Sequence, residues 1–195
     1  MDFETALYDK IKSEILKWNE PDIYAVSFLV ESNEENRYKN YDNLTAWSIS
    51  FNAESDCDGA EELDEERWNY AFWRQDETTI IDYENGNEYT KMLFDWYAEN
   101  GVENIGEENE DEMYDKNGKY IGKGPGGHYE LLQIAASVAE KLQRNGVLKA
   151  HFKKNIPIIV HGLEYAWYDI EATKKANPGK EADTFLKVME ELEDF

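Results

Sequence analysis

The alternation of apolar and polar positions divides the chain into helices and strands with no internal repeat. Over residues 3–18, apolar side chains recur at every third or fourth position, which predicts a helix with one buried face. The same spacing predicts further helices over 87–100, 129–145, 147–153, 165–176 and 182–193. Asn87 and Gly101 are residue types that begin and end helices, so the second helix has predicted bounds.

Four shorter segments have the pattern of strands. Residues 23–31 are apolar on both faces, which predicts a central strand, and 44–52 alternate between apolar and polar, which predicts an antiparallel partner. A third strand is predicted over 78–82. The run 156–160 is apolar and mostly β-branched, so we expect a short strand that is buried on both faces.

These elements predict an α+β fold with a small, mainly antiparallel sheet of about three to five strands, packed with about five helices. We expect one globular domain over 1–195. Two segments have weaker patterns. The second half of 53–66 is predicted to be helical, and 102–127 is predicted to be a long acidic surface loop with a small hairpin at its Asn117-Gly118 turn.

Net charge is the feature of the composition that most restricts function. The 195 residues include 43 acidic and 20 basic side chains, which gives a formal charge of −23. Such a charge repels nucleic acid and anionic lipid and attracts basic proteins. Residues 116–161 hold an excess of six positive charges, which leaves −29 for the rest of the chain. We therefore expect a basic protein as partner, with no role for nucleic acid or membrane.

The remaining composition argues against secretion and against nucleophilic chemistry. Cys57 is the one cysteine, so an internal disulfide is excluded. The first residues lack the basic and apolar regions of a signal peptide, and we expect a cytoplasmic protein. The sequence contains no Ser-His-Asp or Cys-His pattern that spacing supports, and it predicts no cofactor.

Two acidic segments are the candidate partner-binding surfaces. Residues 53–66 contain eight carboxylates and no basic residue, and 103–115 contain a second group. The candidate partner-binding residues are Asp56, Asp58, Glu61, Glu62, Glu107, Glu108, Glu110 and Asp111. The spacing of Glu54, Asp56 and Asp58 approximates a calcium loop, but Glu61 occupies a position that requires a small apolar residue. No metal site is predicted, and a cation-binding module stays open as an alternative.

A candidate pocket combines an aromatic run with the end of the last strand. Four aromatic residues occupy six positions over 68–73, and they form either core or a binding surface framed by arginines. His161 and Glu164 follow the apolar run, where an acid–base pair is chemically reasonable. The candidate pocket residues are Arg67, Trp68, Trp73, His161, Glu164 and Tyr165. An enzyme with its site at His161–Tyr165 is thus the second hypothesis.

Three motifs resemble a known family. IYAVSF at 23–28, ERWNYAFW at 66–73 and IPIIVHGLEY at 156–165, with ANP at 176–178, resemble bacterial proteins that carry a domain of unknown function. That group is similar to immunity proteins found beside polymorphic toxins. The resemblance implies no catalytic residue. It implies a link to toxin immunity. With the acidic charge, this gives the first hypothesis: a non-enzymatic protein that neutralises a basic partner, such as a nuclease toxin, by electrostatic and steric occlusion.

Overall fold

The computed structural model describes residues 2–84, 86–108 and 113–192. The elements in chain order are α1 (Phe3–Ile15), β1 (Ile23–Asn33), β2 (Leu44–Ala53), α2 (Glu65–Trp68), β3 (Thr78–Ile81), α3 (Glu88–Asn100), α4 (His128–Arg144), α5 (Val147–Phe152), β4 (Ile158–His161), α6 (Trp167–Ala176) and α7 (Asp183–Leu192). Two 3₁₀ turns lie at Glu54–Asp56 and Tyr70–Phe72. Within the described ranges there are thus seven helices, of which α2 and α5 are short, and the predicted α+β fold is confirmed.

The four strands form one mixed sheet in the order β3-β2-β1-β4. β1 pairs antiparallel with β2, and β2 pairs antiparallel with β3. β4 runs parallel to β1, with Phe28 opposite Val160. The sheet is therefore mainly antiparallel, as predicted, and β1 has the central position that its two apolar faces indicate.

β4 lies at the edge of the sheet and is nevertheless fully buried. Side chains of α6 and of the residue that follows it take the place of a neighbouring strand. Asn177 accepts from the backbone N–H of Ile158 at 2.9 Å and donates to its carbonyl oxygen at 2.7 Å. Thr173 forms the equivalent pair of hydrogen bonds with Val160, both at 2.9 Å. The edge backbone groups are thereby satisfied without another strand.

Two separate cores cover the two faces of β1. Val26 and Phe28 face the larger core, which α1, α3, α4 and α5 complete. Ala25 and Leu29 face a smaller core with Phe185 of α7 and the aromatic run. Since successive side chains of a strand point to opposite faces, β1 must be apolar at nearly every position to supply both cores.

Capping residues determine both ends of α3. The Asn87 side chain accepts from the backbone N–H of Thr90 at 2.9 Å, and Gly101 has the left-handed φ of 68°. α3 consequently has its predicted bounds. α1 ends at Ile15 rather than at residue 18. The helix predicted over the second half of 53–66 is shorter than expected, since it begins at Glu65 and ends at Trp68.

The described parts of the 102–127 loop, 102–108 and 113–127, are held by short backbone contacts. Its predicted hairpin is present as an antiparallel bridge between Tyr114 and Tyr120. Asp115 stabilises the turn because its side chain accepts from the backbone N–H groups of Asn117 and Lys119, at 2.7 and 2.9 Å.

Gly126 closes the base of this loop. Its N–H donates to Glu107 O, and its carbonyl oxygen accepts from Gly106 N, each at 2.9 Å. A Cβ added at Gly126 would lie 2.1 Å from the carbonyl oxygen of Asn104. Glycine is therefore required here for close backbone approach.

Candidate functional site

Residues 57–66 form an exposed acidic surface, which we call the acidic ridge. Its exposed carboxylates are Asp58, Glu61, Glu62, Asp64, Glu65 and Glu66. None of them forms an ion pair with a described residue. Glu54 and Asp56, just before the ridge, differ because they pair with Arg67 and Arg74 at 2.6 and 2.9 Å. Within 53–66, the carboxylates without an ion pair are thus those of the ridge.

Two apolar side chains are exposed beside these carboxylates. Leu63 is 48% exposed and Phe72 is 57% exposed. Phe72 borders a depression of about 490 Å³ together with Asp58, Asp64 and Glu66. The acidic ridge therefore offers apolar contact area as well as charge.

The tryptophans of the aromatic run point inward beneath the ridge. Trp68 and Trp73 are 4% and 5% exposed, respectively. The indole N–H of Trp68 donates to Glu62 O at 2.9 Å, and that of Trp73 donates to Arg67 O at 2.8 Å. Trp68 also packs edge-on against Phe185. The rings are core, so they position the backbone of the ridge and are not available as partner contacts.

Arg67 connects the ridge to the end of β2. Its guanidinium donates to both carboxylate oxygens of Glu54, at 2.6 and 2.8 Å, and stacks 4.0 Å from the ring centroid of Tyr24. The hydrogen bonds from Arg67 lower the pKa of Glu54. This pair is geometrically well formed, and it fixes the start of the acidic segment.

His161 is fully buried, with both ring nitrogens engaged. Nδ1 lies 2.7 Å from Gly162 O, which can only accept, so Nδ1 carries the proton. Nε2 then accepts from the hydroxyl of Ser27 at 2.7 Å. Burial lowers the pKa of His161 to about 4, and the ring packs against Tyr70 and Trp73. His161 is therefore a neutral core residue, and neither of its ring nitrogens is accessible to solvent or to a substrate.

The other two candidate pocket residues, Tyr165 and Glu164, differ in how far they are buried. Tyr165 donates its hydroxyl to Trp68 O at 2.6 Å and joins His161 and Trp73 in the packed region. Glu164 is exposed, and it lines a depression of about 620 Å³ together with Tyr165. The structure packs the aromatic members of the predicted pocket together, and it leaves the carboxylate of Glu164 exposed to solvent.

Glu164 also borders another depression, at the carboxyl ends of the parallel strands β1 and β4. This depression, which we call the edge pocket, has a volume of about 300 Å³. The residues that carry its chemistry are Glu31, Glu108, His128, Glu164, Tyr168 and Asp169. Ligands of α/β sheets commonly bind at this edge.

Asp169 and His128 are the buried polar members of the edge pocket. Asp169 is 1% exposed, and burial raises its pKa to about 7. The backbone N–H groups of Ala166 and Gly162 lower this pKa, but the effect of burial is larger. His128 is 5% exposed, and burial lowers its pKa to about 4. Asp169 Oδ1 and His128 Nε2 have no hydrogen-bond partner among the described residues.

Sequence reasoning missed both of these residues. Asp169 lies eight residues after His161, in the first turn of α6, and His128 directly follows the glycines that precede α4. Those two positions are the signals that could have indicated them. Their proximity depends on the packing of α4 and α6 against the sheet.

The two predicted acidic segments lie at opposite ends of the β1–β2 ladder. The ridge follows Ala53, which pairs with Ile23, whereas the loop residue Gly106 accepts a hydrogen bond from Asn43, at the start of β2. Nine residues of strand separate these ends, which corresponds to about 30 Å. Glu107 and Glu108 are exposed at the second end, and Glu110 and Asp111 lie outside the described residues.

Comparison with protein-family models, with curated proteins and with solved structures finds no match to this chain. In the described ranges, no helix has both the length and the apolar character that crossing a bilayer requires. No group of three His, Cys, Asp or Glu side chains in these ranges is arranged to hold a metal ion.

Proposed function

We propose that this protein is a non-enzymatic binding protein that neutralises a basic partner protein through the acidic ridge. The observation that carries the proposal is the combination of unpaired, exposed carboxylates with the exposed side chains of Leu63 and Phe72. A nuclease-type toxin fits this chemistry, since its phosphate-binding surface is cationic and the ridge carboxylates would occupy the place of phosphates.

The apolar side chains favour a protein partner over loosely attracted ions. Protein interfaces combine an apolar centre with a charged rim, and a few anchors carry most of the binding energy. Phe72, with carboxylates around its depression, has this arrangement. Leu63 extends the apolar area along the ridge.

The buried base of the ridge supports the same proposal. Trp68 and Trp73 are packed in the core and donate to the backbone of Glu62 and Arg67, which anchors the second half of the ridge before binding. A preorganised surface loses less conformational entropy on association. Occlusion of the partner would then be both steric and electrostatic, as the resemblance to immunity proteins implies for a cytoplasmic protein.

The test measures binding and inhibition with purified basic nuclease-type toxin domains as probes. We expect at least one probe to bind, with an affinity that falls steeply as salt rises, and to lose its nuclease activity in the complex. The triple variant E61Q/E62Q/E65Q should bind more weakly. The matched control E34Q/E35Q/E99Q removes the same charge from exposed positions elsewhere and should bind like the original chain.

A second pair of variants tests the apolar contribution. Phe72→Ser should weaken binding about tenfold or more, because an exposed aromatic anchor is lost. Leu16→Ser alters another exposed apolar residue, 43% exposed at the end of α1, and should have no effect. Equal losses in the ridge variant and its charge-matched control would overturn the proposal, as would failure of every basic probe to bind.

A further inference from the structure

The edge pocket is strongly acidic, independently of the acidic ridge. Glu31, Glu108, Glu164 and Asp169 border it, and no lysine or arginine is found among the described residues that line it. Burial raises the pKa of Glu31, and the nearby charge of Glu77 adds to this effect. Negative charge that is partly removed from water, with no cation among the lining side chains, favours a positively charged ligand.

Two buried polar atoms at the edge pocket have no partner in the described part of the chain. The cap of α6 accounts for one oxygen of Asp169, since Oδ2 accepts from Ala166 N at 2.8 Å. Oδ1 has no hydrogen bond with a described residue, although the nearby backbone N–H of Gly162 lowers the pKa of Asp169. His128 is similar, because Nδ1 lies 3.1 Å from the hydroxyl of Ser32 while Nε2 has no contact. Buried polar atoms are nearly always hydrogen-bonded, so these two indicate a missing ligand group.

The aromatic wall of the edge pocket suits a particular kind of cation. The ring of Tyr168 packs edge-on against His128, with centroids 5.4 Å apart, and both border the pocket beside Asp169. Aromatic faces attract ammonium and guanidinium groups, and desolvation strengthens the attraction. A carboxylate next to an aromatic ring therefore supplies both the ion-pair partner and the apolar contact for an organic cation.

We propose that the edge pocket binds a small organic cation that carries an alkylammonium or guanidinium group. The N–H groups of the ligand donate to Asp169 Oδ1 and to the carboxylates of Glu31 and Glu164. The face of Tyr168 contacts the cationic carbon or nitrogen. The volume of about 300 Å³ is at the lower end for ligand sites and suits a short amine.

A purely structural role accounts for less of the geometry. As a helix cap, Asp169 needs one oxygen and has no need of three other carboxylates around it. Placing an N–H donor at Oδ1 satisfies that atom, and the positive charge compensates the carboxylates of the same pocket. One ligand group thus explains the unpartnered Oδ1 of Asp169 and the excess of acid together.

The test uses isothermal titration calorimetry with agmatine, which carries both cationic groups, and with 1-pentanol as a neutral probe of similar length. Agmatine should bind and pentanol should not. N-acetylarginine methylamide, titrated in parallel, distinguishes a free amine from an arginine side chain of a protein: whichever guanidinium probe binds more tightly identifies the source. Absence of binding by both guanidinium probes would overturn the proposal.

Variants locate the binding. Asp169→Asn should weaken agmatine binding about tenfold or more, since it removes a charge-assisted hydrogen bond while the amide oxygen can still cap α6. Glu31→Gln provides a second variant if Asp169→Asn does not fold. Glu171→Gln, an exposed change on the same helix, is the matched control and should leave binding unchanged. Equal affinities in all three variants would refute the assignment to this pocket.

Discussion

Replacing Asn177 should show how much the side-chain cap of β4 contributes to stability. Asn177 is 6% exposed, and its amide forms two hydrogen bonds with the backbone of Ile158. It also donates to Thr173 O at 2.8 Å and accepts from Gln143 at 3.1 Å. Asn177→Ala removes all four contacts and leaves the N–H and C=O of fully buried Ile158 without partners.

The size of the effect follows from the two orphaned backbone groups. Each buried polar group that loses its partner costs about 1–3 kcal/mol, so the free energy of unfolding should fall by about 4 kcal/mol. For a chain of this length the corresponding decrease in Tm is about 10 °C. Thr173→Val should cost about 2 kcal/mol or more for the same reason, because it keeps the shape of the side chain and removes the hydroxyl that serves Val160.

Urea unfolding followed by tryptophan fluorescence, with thermal melting beside it, measures these losses. Asn100→Ala is the matched control, because the exposed Asn100 side chain forms one bond to Trp96 O. We expect it to cost less than about 1 kcal/mol. Thr173→Ser keeps the hydroxyl and controls for Thr173→Val. The explanation of the buried edge is refuted if Asn177→Ala costs no more than Asn100→Ala, or if Thr173→Val costs no more than Thr173→Ser.

Three further predictions concern titration and backbone packing. Because the folded pKa of His161 is about 4, the unfolded chain binds a proton first as pH falls below 6.5. The contribution of His161 to stability should therefore decrease by up to about 3 kcal/mol between pH 6.5 and 4, and His161→Gln should remove this decrease in urea titrations at several pH values. Asp169 has the opposite sign: its folded pKa of about 7 exceeds its ordinary value of 3.8, so it costs stability as pH rises from 4 to 7, by up to about 4 kcal/mol. In the same titrations, the free energy of unfolding of Asp169→Asn should therefore increase relative to that of the original chain as pH rises. Gly126→Ala should cost more than about 2 kcal/mol, measured by thermal melting, because its Cβ would meet Asn104 O. Gly118→Ala, with positive φ and open space, should cost about 1 kcal/mol.

Each of these predictions has a result that contradicts it. A stability profile for His161→Gln that parallels the original one below pH 6.5 would mean that His161 is protonated in the folded chain. A constant offset for Asp169→Asn between pH 5 and 8 would mean that Asp169 is ionised throughout. Equal losses in Gly126→Ala and Gly118→Ala would mean that the loop base relaxes around a methyl group.

Local patterns predicted the elements well because each depends on neighbouring residues. The bounds of α3 follow from Asn87 and Gly101, which act within one turn of the helix. The central position of β1 follows from its own apolar positions. The edge position of β4 could not be predicted, because Asn177 lies outside the strand and has the local appearance of a helix terminator.

The candidate site was harder to predict for the same physical reason. His161 has the sequence context of a strand-end acid or base, but rings from Tyr70 and Trp73, distant in the sequence, surround it. Asp169 and His128 are 41 positions apart, and tertiary packing alone brings them to one pocket. The inward direction of Trp68 depends on the smaller core. Long-range packing therefore decided which polar residues are buried and which are accessible.

The double use of β1 has a consequence for how the molecule opens. Each core requires this strand, so separating either layer from the sheet uncovers apolar surface that belongs to the other. Partial opening should then be nearly as costly as complete opening, and the amide hydrogens of Val26 and Phe28 should exchange with solvent only through global unfolding. A molecule of this kind carries its charged ridge and its acidic pocket on one cooperative unit.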